Sequence, residues 1–213
     1  MSKIKVAFFC GNCGYESLKW LGKCPACNEW NTFIEEVVDK SASSKNAENR
    51  SLYSDEKRQV KVIALNDVDN NEIHRIFTKD PELNRSLGGG IVPGSIVLLA
   101  GEPGVGKSTL LLQDALALEN ITTLYISGEE SEEQIKMRAN RIGISNDQFY
   151  LLTETITQTI FNEIKKLKPG LVIIDSIQTL QSNFLDASPG SISQIRETAA
   201  ELQRFAKEKG IPV

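Results

Sequence analysis

Eight residues, Gly101-Glu102-Pro103-Gly104-Val105-Gly106-Lys107-Ser108, constrain this chain more than any other segment. They fit G-x-x-x-x-G-K-[ST] without a mismatch. They lie between an apolar run, residues 96–100 (IVLLA), and a stretch of helical periodicity over about residues 107–118. Strand, glycine-rich turn and helix in that order point successive backbone N–H groups at an anion, and the helix amino terminus adds positive potential. The expected ligand is ATP with Mg²⁺. Lys107 is expected to reach the β- and γ-phosphates, Ser108 to give its hydroxyl to the metal, and Thr109 to bond an α-phosphate oxygen. The competing reading, a plain glycine turn ahead of a helix, has both flanking elements against it.

A metal-bound nucleotide needs an acidic partner on a neighbouring strand. Asp175 ends the apolar run LVIID, as a Walker-B aspartate does, and is expected to face Ser108 across Mg²⁺. Hydrolysis also needs a base that orients water. Glu129 and Glu130 come just after the run TLYIS, on the same expected sheet edge. Position alone does not choose between them, nor does it dismiss two solvated charges ahead of a helix. His74, the single histidine, stands in a polar stretch and reads as a surface residue.

The rest of the second half alternates strands with helices. After TLYIS, Ser131-Glu132-Glu133-Gln134 matches a capping box, opening a helix that stops at Gly143. A third strand is expected over residues 149–152, then a helix to about Leu167 with Lys165, Lys166 and Lys168 at its carboxyl end, where cations suit the dipole. LVIID is the fourth strand and residues 192–209 a further helix. Such alternation predicts a parallel sheet with crossover connections. Gly210-Ile211-Pro212-Val213 reads as a helix stop and the opening of a fifth strand, so the chain is expected to be a piece of a longer one.

Three zones follow: residues 1–36, a polar linker over 37–59, and the α/β core over 60–213. The first holds Cys10-x-x-Cys13 and Cys24-x-x-Cys27, two knuckles that together can surround one tetrahedral Zn²⁺. With four thiolates the shell is closed, so the metal's expected role is structural; a redox role for either pair is the lesser reading. No apolar run nears the roughly 20 residues of a membrane span, and the amino terminus is too short in apolar residues for a signal peptide, so a cytoplasmic location is expected. The net charge of −4 lacks the basic footprint usual for nucleic-acid binding, so any DNA contact must be local.

The succession of a four-cysteine finger, a linker and LGGGIVPGSIVLLAGEPGVGKSTLLLQ resembles the bacterial RadA (Sms) DNA-repair family. FFCGNCGYESLKWLGKCPACNEWNTF, YISGEES, LVIIDSIQTL, SPGSISQIRETAAELQRFAK and GIPV extend the resemblance over essentially the whole chain. It implies an α/β fold: a RecA-like P-loop core with a parallel sheet, preceded by a small four-cysteine zinc ribbon. It implies a DNA-dependent ATPase of recombinational repair, a branch-migration or helicase-type motor on branched or single-stranded DNA. Family members form hexameric rings, bind recombinase filaments and have no membrane association. The resemblance selects Glu129 over Glu130 as base, beside Lys107. It makes residues 182–193 a loop lining a DNA channel, with Gln178 coupling nucleotide state to it. A KNRFG motif and a Lon-protease-like domain, which complete members carry, are not in this sequence. This piece is therefore expected to bind nucleotide poorly and to turn it over little or not at all. The competing functions are a nucleotide-gated zinc-finger adaptor and a small-molecule P-loop kinase with a zinc-stabilised lid.

Overall fold

The computed structural model describes residues 4–39, 62–67 and 74–213. In chain order its strands and α-helices are β1 (Ile4–Cys10), β2 (Glu16–Ser17), β3 (Phe33–Asp39), α1 (Pro81–Ser86), α2 (Lys107–Ala117), β4 (Thr123–Ser127), α3 (Glu132–Ile142), β5 (Phe149–Thr153), α4 (Thr157–Leu167), β6 (Leu171–Asp175) and α5 (Ile192–Lys209).

β4 sits at the centre of a parallel sheet ordered β5-β4-β6, with Thr123 opposite both Phe149 and Leu171. All five of its residues are buried, which is why TLYIS reads as a near-continuous apolar run. Its side chains nevertheless alternate between two cores. Leu124 and Ile126 pack with Ile160, Phe161 and Ile164 of α4 and with Leu202 and Phe205 of α5. Tyr125 packs with Leu112, Ala115 and Leu116 of α2 and with Ile135 of α3. Helices thus cover both faces, and the carboxyl ends of β4 and β6 emerge together at one edge. The helix ends follow the sequence signals: Ser131 and Gln134 form the capping box, and Gly143 and Gly210 end α3 and α5 in the left-handed region.

The apolar run at residues 96–100 departs from the expected buried strand. Its segment is tied in by only a short ladder: the Val97 N–H donates to the Val213 carbonyl at 2.8 Å, and the Val213 N–H donates to that of Ser95 at 3.0 Å. The Val172 N–H in turn donates to the Pro212 carbonyl at 3.0 Å. Pro212 and Val213 therefore lie between β6 and the 95–97 segment, and Leu98 stays 76 % exposed. Apolar composition signals a strand, but burial comes only where a neighbouring strand and helix cover it.

In the amino-terminal module β1 pairs antiparallel with β2 and with β3, from Ile4 opposite Asp39 to Cys10 opposite Phe33. β3 carries on to Asp39, so Val37–Asp39 extends the module instead of opening the linker; residues 40–59 of that linker lie outside the described residues. The module touches the core at the start of α5, where the Arg196 guanidinium donates to the Gly14 carbonyl at 3.0 Å. Among the described residues no helix is long and apolar enough to cross a membrane.

Candidate nucleotide site and metal centre

The glycine-rich turn is built around two left-handed glycines, Gly104 (φ 81°) and Gly106 (φ 95°), a conformation that side chains resist. Gly106 is the residue before α2 and provides no side-chain cap, so the first-turn N–H groups of α2 remain open to an anion. Gly101, Glu102, Pro103 and Val105 are exposed around this mouth. The Lys107 ammonium donates to the carbonyls of Gly101 (2.9 Å) and Glu102 (2.8 Å), folded over the turn it would share with phosphates. Thr109 is exposed in the first turn of α2.

Sixty-seven residues apart in sequence, Ser108 and Asp175 meet: the Ser108 hydroxyl donates to Asp175 Oδ1 at 3.1 Å. The second carboxylate oxygen of Asp175 accepts the Tyr125 hydroxyl at 2.7 Å. Burial first, and then the bond to Asp175, raises the pKa of Tyr125 well above its ordinary value, so this phenol keeps its proton and stays a donor. A hydroxyl and a carboxylate side by side at the mouth of the turn are hard oxygen donors of the kind Mg²⁺ takes. Arg138, from the second turn of α3, reaches the same place. Its Nη2 hydrogen-bonds Glu130 Oε2, stands 3.5 Å from the Tyr125 hydroxyl and lies 4.0 Å from Asp175 Oδ2.

The two adjacent glutamates therefore have different surroundings. Glu130 is ion-paired with Arg138, whereas Glu129 is exposed on the sheet edge and accepts the Ser176 hydroxyl at 2.6 Å. Ser176 follows Asp175 across a cis peptide bond. Gly128 lets this edge close up: a Cβ there would lie 2.2 Å from Thr179 Oγ1 and 2.9 Å from Thr155 Cγ2, closer than side chains pack. Gln178 is exposed in the short 3-10 turn Ile177–Thr179 beyond β6, and His74 is exposed as well.

Residues 182–193 leave the same edge and are pinned at their base. The Ser182 N–H donates to Gln194 Oε1 at 2.9 Å, and the Gln194 amide donates to the carbonyls of Leu185 (2.9 Å) and Ala187 (3.1 Å). Buried Glu201 accepts the hydroxyls of Ser182 (2.6 Å) and Thr157 (2.5 Å). Burial nonetheless raises its carboxyl above the ordinary range. The tip, Ser188-Pro189-Gly190, is exposed.

In the amino-terminal module the sulfurs of Cys10, Cys13, Cys24 and Cys27 lie within 4.8 Å of one another. The Gly14 N–H donates to the Cys10 carbonyl at 2.8 Å and the Asn28 N–H to that of Cys24 at 2.9 Å, which closes the two knuckles. Against burial, the Thr32 hydroxyl and the amides of Asn12 and Cys13 lower the Cys10 thiol to about 6. For Cys13 the Tyr15 amide is outweighed by burial and by the neighbouring sulfurs, which push it up to about 12. Four soft donors this close need a cation to ionise together, and the set fits tetrahedral Zn²⁺.

Tyr125, Arg138, Gly128 and Ser176 are site residues that sequence reasoning missed. A buried tyrosine in a strand and an arginine within a helix carry no motif; only their convergence on Asp175 and Glu130 marks them.

The AAA domain family matches residues 64–213, and the rubredoxin metal binding domain family matches residues 8–35. The chain is 45 % identical over 216 residues to the DNA repair protein RadA of Bacillus subtilis, and 51 % identical over 212 residues to that of Streptococcus pyogenes serotype M6. These matches take in 100 % and 99 % of this chain but 46 % of each relative, so the chain spans less than half of their length. Among solved structures, the flagellar accessory protein FlaH of Methanocaldococcus jannaschii superposes with a TM-score of 0.50 at 20 % identity, covering 66 % of this chain and 69 % of that one; this likeness concerns the fold alone.

Proposed function

Because the chain belongs to the AAA domain family, we propose that it binds ATP at the 101–108 turn and hydrolyses it as part of a DNA-repair ATPase of the RadA kind. The observation that carries this reading is the meeting of Ser108 and Asp175 beside an uncapped helix amino terminus. Phosphate oxygens would take the first-turn N–H groups of α2, and the Lys107 ammonium would exchange two carbonyls for the β- and γ-phosphates. Ser108 and Asp175 would hold Mg²⁺, which when bound neutralises phosphate charge. Glu129 would orient a water and take its proton as the water oxygen attacks the γ-phosphorus and ADP leaves. Zn²⁺ on the four cysteines would act as a structural centre, since no coordination position is left open.

The DNA part of the proposal rests on the RadA relatives and on the loop at residues 182–193, whose pinned base and exposed tip suit a contact surface at the nucleotide edge. With a net charge of −4, such contact must be confined to local surfaces or to the inside of a ring of copies. ATP turnover of the full-length protein, measured with and without single-stranded DNA, tests the proposal. Turnover is expected to rise several-fold with DNA and to disappear in Lys107→Ala and Glu129→Gln. Equal, DNA-independent rates in wild type and Lys107→Ala would sink it.

A further inference from the structure

Arg138 stands where a cation is costly unless it has a task. Its side chain is only 14 % exposed, and its Nε is buried without a hydrogen-bond partner. The one end of the guanidinium that is engaged serves Glu130, with Tyr125 and Asp175 just beyond it. We propose that Arg138 is a positioning residue of the nucleotide site: it ties Glu130 back onto α3 and steadies Asp175 through Tyr125, which leaves Glu129 as the glutamate free to act on water. This deepens the ATPase reading and rests on it.

Two geometrical facts support the assignment. Glu130 precedes α3 while Arg138 lies within it, eight residues on, so their pairing folds the turn after β4 back against the helix. Arg138 is 4.0 Å from Asp175, too far for a direct hydrogen bond, whereas the Tyr125 hydroxyl donates to that same oxygen at 2.7 Å. Arg138 therefore acts on Asp175 through its field and through the phenol, and leaves Oδ1 to Ser108. Without Arg138, Glu130 becomes an uncompensated carboxylate beside Asp175 and Glu129, able to compete for the metal.

The test compares wild type with Arg138→Gln, Arg138→Lys, Glu130→Gln and the double variant Glu130→Gln/Arg138→Gln, each checked for native circular dichroism. Removing the outer support of a metal-binding group typically costs about 10–100-fold, so kcat/KM of Arg138→Gln should fall by that much, with KM for MgATP raised most when Mg²⁺ is limiting. The double variant has no unpaired carboxylate and should recover most of the loss; Arg138→Lys, which keeps the charge, should lose less than Arg138→Gln. Binding of a fluorescent ADP gives a readout without turnover. With EDTA all variants should bind alike, and with Mg²⁺ only Arg138→Gln should weaken markedly, with the double variant restored. A double variant as slow as Arg138→Gln, or Mg²⁺-dependent ADP binding that is the same throughout, overturns the proposal. Equal turnover in wild type and Glu129→Gln would instead defeat the ATPase reading, and the ADP arm would still decide the role of Arg138.

Discussion

Substituting Gly128 with alanine adds one methyl group at the most crowded point of the nucleotide edge. The new Cβ would lie 2.2 Å from Thr179 Oγ1, 2.6 Å from Thr179 Cβ and 2.9 Å from Thr155 Cγ2. Ordinary contact begins near 3.4 Å, so the Thr179 hydroxyl has to retreat by about 1 Å or the strand end has to move by as much. Thr179 cannot simply turn away, because its hydroxyl donates to the Ser176 carbonyl at 2.8 Å and the whole 3-10 turn would follow. Overpacking of this kind costs about 1–3 kcal/mol. The displaced turn carries Ser176 away from Glu129, now joined at 2.6 Å, and a misplacement of about 1 Å lowers kcat by up to about 100-fold. Urea unfolding with steady-state ATPase kinetics measures both effects. Adding Thr179→Ala removes the nearest atom and should return part of each loss. Wild-type stability and turnover in Gly128→Ala would refute the packing argument.

Other consequences are equally open to measurement. Asp114, on α2, has a buried oxygen with no partner, and burial first, then the charge of Asp80, raises its carboxyl from 3.8 to about 6. The folded state therefore binds more protons between about pH 4 and pH 6, and stability falls as pH rises through that window. Asp114→Asn should be more stable than wild type by about 1–3 kcal/mol at pH 7 and no different at pH 3.5; equal melting at pH 7 would contradict the assignment. Cys24→Ser should lose the single Zn²⁺ expected per chain, as elemental analysis would show, and unchanged metal content would rule out the four-cysteine centre. Phe205 stacks on Phe161 at 4.7 Å between ring centroids, and both are buried. Phe205→Ala should cost about 3–5 kcal/mol in urea unfolding, and a loss under about 1 kcal/mol would mean that the α4–α5 face repacks.

Much of the architecture was legible in the sequence because its signals are local. The capping box at Ser131 and Gln134, the glycine stop at Gly143 and the run LVIID each report contacts within a few residues, and α3 and β6 appear where those signals put them. The G-x-x-x-x-G-K-[ST] spacing likewise dictates an uncapped helix start, and the paired C-x-x-C knuckles bring four sulfurs together. Tertiary structure decided the rest, because it depends on residues far apart in the chain. Burial of residues 96–100 needed a neighbouring strand, and composition could not say whether one covers them. The surroundings of Glu129 and Glu130, identical neighbours by position, differ because Arg138 reaches one and Ser176 the other. A motif can specify which chemical groups meet a phosphate. Which of two adjacent carboxylates keeps its charge unpaired is set by the helix packed against them.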